Sequence, residues 1–393
     1  MHFTVGTSLP ITITVYDEIV DISQIWLKFQ RHAVSTLQQS FQWCNAWQQT
    51  VGKTKGCSPR ILLGRDAAGK VVFILPLQVR QSFGLTILEW HSYPSVNYGY
   101  GLFDRDFLPQ ASQWFAAELD NILNAIAPLD VLSLQDLPAK LHGHEHPLLA
   151  HANLKAANRA YAMNLQPDFD ALYAAKRSVA TRKSHRKRDA RLRAMGELSF
   201  GLPRNTQEAH KILDEVFSHQ AQRLAQSGVH GIFGKTEREF FHLLIDETNG
   251  RDPFLLPYVL KCNGETLAVM LGGNASGIFW PFISSMSPGA AQKHSPGDYV
   301  LRHAIEACCK LGLTKLDFAS GDSNYKLQWS DEIIDLSTIL KTRNVRGLFW
   351  VSALTLALTT KRFIKQNRLM LSVAFFMRRL LAGNASRPSH ADH

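Results

Sequence analysis

Cysteine is scarce in this 393-residue chain. Cys44, Cys57, Cys262, Cys308 and Cys309 make an odd count, and no two stand in a CxxC pair. Neither a disulfide framework nor a cysteine-based zinc site fits that spacing, and reduced thiols suit a cytoplasmic protein. Long apolar runs are missing as well. The stretch GLFWVSALTLALTT near the C-terminus has 14 uncharged residues, against the roughly 20 that a bilayer-spanning helix needs. The opening residues MHFTVGTSLPITITVYDE lack a basic segment followed by a long apolar one, which argues against a secretory signal.

A chain-wide basic surface is also absent. The net charge is +10, but residues 176–193 hold nine Lys/Arg against one Asp, and residues 341–380 hold nine and no acid. The remainder has 25 basic and 32 acidic residues. Nucleic-acid binding over the whole surface is excluded, and two basic patches are left to explain. The His-rich run HGHEHPLLAH, residues 142–151, has irregular spacing around a proline and reads as a polar surface loop, not a metal centre.

What is present is ordinary globular matter, 45% hydrophobic and 19% charged, long enough for two domains. Residues 10–167 mix strands and helices. ITITVYD alternates like a strand, Phe41, Cys44 and Trp47 share a helix face, and RILLGRDAAGKVVFILPLQVRQS reads as two strands around a turn. Residues 168–195 read as one long basic helix from an Asp168 cap to a Gly196 stop. Residues 196–343 run helix, helix, three-strand meander, helix, strand, and the meander argues against a doubly wound parallel sheet. Residues 344–393 are a basic helical tail with Phe363, Met370, Ala374, Met377 and Leu381 on one face. The fold class is therefore α/β (α+β): mixed sheets flanked by helices in two halves, bridged by the basic helix.

Several stretches can carry chemistry. SSMSPGAAQKHSPGDYVLRHAIEACC leads from a strand end through a Gly/Pro loop into a helix. Free N–H groups at a helix start favour anions, so Lys293, His294 and Gly297 can cradle a pyrophosphate; they equally make a routine loop before a helix. LDFASGDSNYKLQW, residues 316–329, gathers Asp317, Asp322, Tyr325 and Lys326. Either Asp can take a proton from an amine or hydroxyl, Tyr325 can return one to a thiolate, and Lys326 can hold an acidic acceptor. Alternatively Asp322 only caps a helix, and Tyr325 and Trp329 pack inward. His219 and Arg223 share a helix face, and His230 follows in a turn. They can line an acceptor pocket or form a solvated surface. The basic helix can meet tRNA phosphates or anionic lipid, or simply face solvent. Residues 344–381 can lie on a membrane surface or pack on the second half.

The ordered set HQAQRLAQSGVHGIF, NGETLAVMLGG and FWPFISSMSPGAAQKHSPGDYVLRHAIEACCKLGLTKLDFASGDSNYKLQW, behind a basic helix and GELSF, resembles the acetyltransferase family associated with cellulose biosynthesis. That family is a branch of the GNAT superfamily related to the Fem-type peptidoglycan aminoacyl transferases. The chain departs from it at Asp317-Phe-Ala-Ser-Gly-Asp322, where the family favours glycine after Asp-Phe. The resemblance implies two GNAT-like halves, with acetyl-CoA or another acyl-CoA bound in the second and no metal. It implies pantetheine along the strand of Phe282, Ile283 and Ser284, and pyrophosphate against the loop and helix start of His294, Gly297, Asp298 and Tyr299. The implied reaction moves an acyl group to an amine or hydroxyl of a sugar or polysaccharide precursor. Two other readings stay open: a Fem-like transferase using aminoacyl-tRNA, and a non-catalytic accessory protein of a membrane polysaccharide synthase.

Overall fold

A computed structural model describes residues 1–6, 9–226, 233–250 and 252–367. His230, Met370, Ala374, Met377 and Leu381 lie outside them. Alternating burial marks the outer strands, as in Ile11–Tyr16, where every second side chain is buried. The main strands are His2–Val5 (β1), Ile11–Tyr16 (β2), Ser58–Arg65 (β3), Val71–Ser82 (β4), Leu85–Trp90 (β5), Val131–Pro138 (β6), Leu154–Asn164 (β7), Leu198–Gly201 (β8), Leu256–Cys262 (β9), Glu265–Ala275 (β10), Ile278–Met286 (β11), Lys315–Ser320 (β12) and Glu332–Thr342 (β13). The helices are Ser23–Phe29 (α1), Phe41–Trp47 (α2), Leu108–Ala125 (α3), Phe169–Lys176 (α4), Val179–Arg193 (α5), Thr206–Gln226 (α6), Lys235–Asp246 (α7), Pro296–Lys310 (α8), Asn324–Trp329 (α9) and Val345–Gln366 (α10).

The two expected sheets are one. The described residues form a 14-stranded sheet in the order β1-β2-β3-β4-β5-β6-β13-β7-β12-β11-β10-β9-β8, with the short strand Leu102–Phe103 beside β4. The halves meet by exchanging a strand. β7 follows the first half in sequence but pairs with β12 of the second, and β13 follows the second but pairs with β6 of the first. β7 and β13 pair antiparallel with each other at the centre. Each half therefore has an edge that only the other half's strand covers.

The halves match in detail. Each holds one parallel pair, β5 with β6 and β11 with β12. β6 and β12 each carry a bulge at the corresponding place against the exchanged strand. A non-glycine residue takes a positive φ in each bulge, Asp136 at 55° and Ala319 at 59°.

The basic helix expected over 168–195 is two helices. Asp168 caps α4 by accepting from the Ala171 amide, but Arg177 is extended and Ser178 starts α5 with a cap of its own, on Thr181. α5 is not solvated all round: His185, Asp189 and Leu192 are buried. Asp189 takes a two-pronged bond from Arg302 of α8 at 2.6 and 3.1 Å.

One core joins α2, α3, α6 and α7 to the sheet, crossing between the halves; Trp43 of α2 stands edge-on to Phe240, Phe241 and Phe282. A second core lies under α4, α5 and α8. α10 packs Trp350, Val351 and Leu354 beside Leu85, Ile87 and Val131 of the first half and Leu340 of exchanged strand β13. Among the described residues no helix is long and apolar enough to cross a membrane. All five cysteines are buried and unpaired.

Strand exchange predicts that neither half folds alone. Residues 1–167 would lack β13 and leave both β6 and β7 bare. Produced separately, fragments 1–167 and 168–393 should give no cooperative unfolding transition by circular dichroism, while co-expression should restore one. A cooperative transition for 1–167 alone contradicts this.

Candidate active site

β11 and β12 pair only through Ile278–Lys315 and Phe279–Leu316, and then diverge. The next residue on β12 is Asp317, at the apex of this fork and only 1% exposed. Its Oδ1 accepts the Ala319 amide at 2.8 Å, which holds the left-handed bulge in place. Its Oδ2 accepts the hydroxyl of Tyr98, a residue of the first half. Burial raises the Asp317 pKa to about 6, with the Tyr98 and Ala319 bonds opposing. Burial and Asp317 hold the Tyr98 phenol well above its usual range, so it stays a donor. Tyr98 also stands edge-on to Trp280 of β11, ring centres 5.8 Å apart, so one side chain closes the fork apex from both strands.

Beyond β12 the chain turns at Gly321, φ 100°, into the short helix α9. Asp322 does not cap that helix: Ser323 occupies the cap position, without a side-chain bond. Asp322 instead accepts the hydroxyl of Tyr161, from exchanged strand β7. Lys326 donates to the Ser320 carbonyl at 2.8 Å. Burial lowers its pKa to about 8, against the pull of Asp317 and Asp322. Tyr325 stands edge-on to Phe318 and is 40% exposed, while Trp329 is buried. Burial raises the Tyr325 phenol, with Ser323 opposing. Asp317, Asp322 and Lys326 thus share one electrostatic neighbourhood, held by two tyrosines from outside the 316–329 stretch. Tyr98 is 219 residues from its partner and Tyr161 is 161, and nothing local in the sequence announces either pairing.

Along the fork, Phe282 stacks against Phe241 and Ile283 enters the core. Ser284 is exposed, and its carbonyl accepts from the Gln220 amide of α6 at 2.6 Å. Ser284 lies opposite Met270 on β10, so a carbonyl bonded elsewhere points away from β10, toward the open side. Past β11, Ser295 takes φ 57° and starts α8. A Cβ on Gly297 would stand 2.9 Å from the Met286 sulfur, so glycine lets the strand end touch the helix start. The His294 Nδ1 is buried without a partner. Asp298 accepts from Arg302 at 3.2 Å, and buried Tyr299 packs on His303. Arg188 of α5 donates to the Ser295 hydroxyl at 3.0 Å and brings a cation to this helix start. Sequence reasoning assigned Arg188 to the basic helix but had no signal for where it points.

The remaining expectations scatter. His219 lines a cavity of about 540 Å³ with Lys211, Glu215 and Thr266, beside Ser287 and Ala291 of the loop between β11 and α8. Arg223 donates to Gln220 at 2.7 Å and so stands behind the Ser284 contact. The run 142–151 is not simply a surface loop: His146 is fully buried, and its Nε2 lies 3.1 Å from the Gly99 carbonyl oxygen. Among the described residues no cluster of three His, Cys, Asp or Glu could hold a metal.

Two measurements test this geometry. Tyr98→Phe leaves the buried Asp317 carboxylate short of a donor and should cost about 1–3 kcal/mol in denaturant unfolding; an unchanged midpoint contradicts the cross-half bond. The native Asp317 keeps its proton to about pH 6, while the unfolded group releases it near 3.8. Its contribution to stability is therefore complete below that lower value and is lost as pH rises through 6. Asp317→Asn should flatten that part of the stability curve.

Residues 179–327 match the family model described as an acetyltransferase (GNAT) domain. No curated protein matches the chain. Among solved structures, FemX covers 80% of this chain and 95% of its own at 12% identity and a TM-score of 0.55. The C-terminal domain of a putative lysylphosphatidylglycerol synthetase from Agrobacterium fabrum covers 87% and 96% at 11% identity and a TM-score of 0.49. A tandem GNAT protein from the clavulanic acid biosynthesis pathway covers 85% and 99% at 11% identity and a TM-score of 0.41. At such identities a structural likeness speaks to fold alone, and the matched segment spans α5 to α9, the elements that build the fork. Residues 179–327 thus carry the match to a GNAT-type acetyltransferase domain, and the chain shares its fold with FemX.

Proposed function

We propose that the chain moves an acyl group, most simply acetyl from acetyl-CoA, to the amine or hydroxyl of a sugar or cell-envelope polysaccharide precursor. The observation that carries this reading is the fork between β11 and β12, closed at its apex by Tyr98 and Asp317 and edged by the outward-facing Ser284 backbone. The residues suit the ligand. Ser284 offers a strand edge to the amides of a pantetheine arm, and its carbonyl keeps a second lone pair beside Gln220. Gly297, His294 and Arg188 gather at a helix start, where backbone N–H groups favour a diphosphate.

Acetyl-CoA supplies the activated acyl group as a thioester; the chain supplies position and proton transfer. As the acceptor nitrogen bonds to the carbonyl carbon and the C–S bond breaks, Lys326 in its neutral form takes the proton the amine gives up. Tyr325 protonates the departing thiolate. Asp322, fixed by Tyr161, steadies the Lys326 ammonium that results.

Acetyl-CoA should raise the melting temperature of the full chain, since a ligand that binds only the native state stabilises it. No shift, together with salt-sensitive tRNA binding, would favour the aminoacyl-tRNA reading instead. Lys326→Ala and Asp322→Asn should lower turnover while leaving the acetyl-CoA shift in place, and loss of the shift in either contradicts these roles. Turnover should rise with pH through about 8 as Lys326 loses its proton.

A peripheral membrane contact has one observation in its favour. Val345, Phe349, Leu356 and Phe363 fall on one stripe of α10 and are 81%, 85%, 69% and 57% exposed. The same helix carries Arg346, Lys361, Arg362 and Lys365. Phe349→Glu with Leu356→Glu should abolish co-sedimentation with anionic vesicles without loss of fold; undiminished co-sedimentation rejects the contact.

A further inference from the structure

A cavity of about 470 Å³ opens beside the Asp317–Lys326 turn, within the roughly 300–1,000 Å³ usual for ligand pockets. Its origin is a register fault at the centre of the sheet. Lys155 of β7 pairs with Ser337 of β13 and Arg159 with Asp335, so residues 156–158 stand against Leu336 alone. Such a bulge bends its strand and takes backbone groups out of the ladder. α10 packs along β7, and its last turn reaches the bulge, where Lys365 donates to the Asn158 side-chain oxygen.

Charge sets this cavity apart. Four cations line it, Lys155 and Arg159 from β7 and Arg362 and Lys365 from α10, against two carboxylates, Asp322 and Asp335. Among the described residues none of the four cations is in an ion pair. Arg159 stands opposite Asp335 across the strands, but its guanidinium lies over the Tyr161 ring, 6.0 Å from the ring centre. Lys365 has only the neutral Asn158 oxygen as its hydrogen-bond partner. Asp322 is already engaged, since it accepts the Tyr161 hydroxyl and faces Lys326. Lys361 and Lys365 also face Asp136, but burial raises that carboxyl's pKa and weakens it as a counter-charge. Like charges gathered in a cleft with protein walls focus their field and draw in an anion.

The geometry points to an anion site that holds a phosphate group of the acceptor, between the bulge of β7 and the end of α10. The inference rests on the acyltransferase reading above and adds to it the acceptor's charge. An arginine fork bonds two phosphate oxygens at once, and a phosphate brings close to two negative charges and three strong acceptor oxygens for two arginines and two lysines to share. A carboxylate, with one charge and two oxygens, leaves most of these donors unused. The site stands next to the reacting groups: Arg159 leans over Tyr161, Tyr161 holds Asp322, and Asp322 faces Lys326. An acceptor anchored here by its phosphate presents its amine or hydroxyl toward Lys326. The end of α10 thereby gains a part in the reaction that is separate from any membrane contact of its apolar stripe.

Calorimetric titration of inorganic phosphate into the full chain, with and without saturating acetyl-CoA, tests the site. Wild type should bind phosphate in both, and Lys155→Gln and Arg362→Gln should each weaken that binding about tenfold, or roughly 1.4 kcal/mol. Each variant relieves repulsion among like charges, so its melting temperature should stay the same or rise. Lys155 is exposed, so Lys155→Gln keeps the test open should the half-buried Arg362 prove necessary for folding. Wild type that binds no phosphate, or folded variants that bind it as well as wild type, overturns the inference. So does binding to the acetyl-CoA-free chain that Arg188→Gln removes and the two cavity variants do not, since phosphate would then read only the start of α8. Glycerol 3-phosphate and dihexanoyl phosphatidic acid carry the same phosphate headgroup and separate its sources. Tenfold tighter binding of the second supports the site with a lipid-borne acceptor, and equal binding supports it with a soluble one. Acetyl-CoA is titrated on its own as well. Cavity-dependent phosphate binding without acetyl-CoA binding removes the acyltransferase reading and leaves the anion site standing; acetyl-CoA binding without phosphate binding removes this inference alone.

Discussion

The structure depends on one constraint: neither half can close its own sheet. β6 and β12 each end a half in sequence order, and each is covered by a strand from the other half. Bare strand edges pair with whatever is at hand, and here each half is placed to pair with the other. That exchange fixes the halves side by side, and the fork between β11 and β12 inherits its walls from both. Tyr161 reaches Asp322 because β7 lies beside β12. Tyr98 reaches Asp317 because the loop after β5 is held across the junction.

The two halves have divergent roles despite matching topology. Both carry a parallel strand pair and a bulge with a left-handed residue. In the first half the chain leaves β5 in turns that bury His91 and deliver Tyr98 to Asp317 of the second half. In the second it leaves β11 through a loop that ends on a helix start furnished with Gly297 and Arg188. The first half braces the fork apex through Tyr98, and the second keeps a strand edge at Ser284. Burial then tunes the fork: a carboxyl that holds its proton to about pH 6 and an ammonium that loses it near 8 stand within reach of the same turn.

Much of this was legible in the sequence, and the boundary of what was not has a physical cause. Alternation and helical spacing are local, so the meander, the β3–β4 hairpin and the helix starting at Pro296 could be read directly. The Asp317–Lys326 turn was legible because its members are neighbours in the chain. Strand exchange was not, because the pattern of β7 and β13 says that they are strands and not which edges they cover. Ser178 hid the break between α4 and α5, since a serine within a basic run reads as helix as readily as cap. The cap alternative for Asp322 rests on local neighbours, while Tyr161, its actual partner, is far along the chain. Tyr98 sat in an aromatic, turn-rich stretch whose chemistry no spacing rule reports.

The central claim is that the second half's fork, and not the first half's, receives the thioester nucleotide. Hydrogen–deuterium exchange with and without acetyl-CoA addresses it directly. The account predicts slowed exchange at residues 282–286 and 293–297 on addition of acetyl-CoA, with no change at residues 89–91. Protection centred on residues 89–91, or none at β11 under saturating acetyl-CoA, would contradict it.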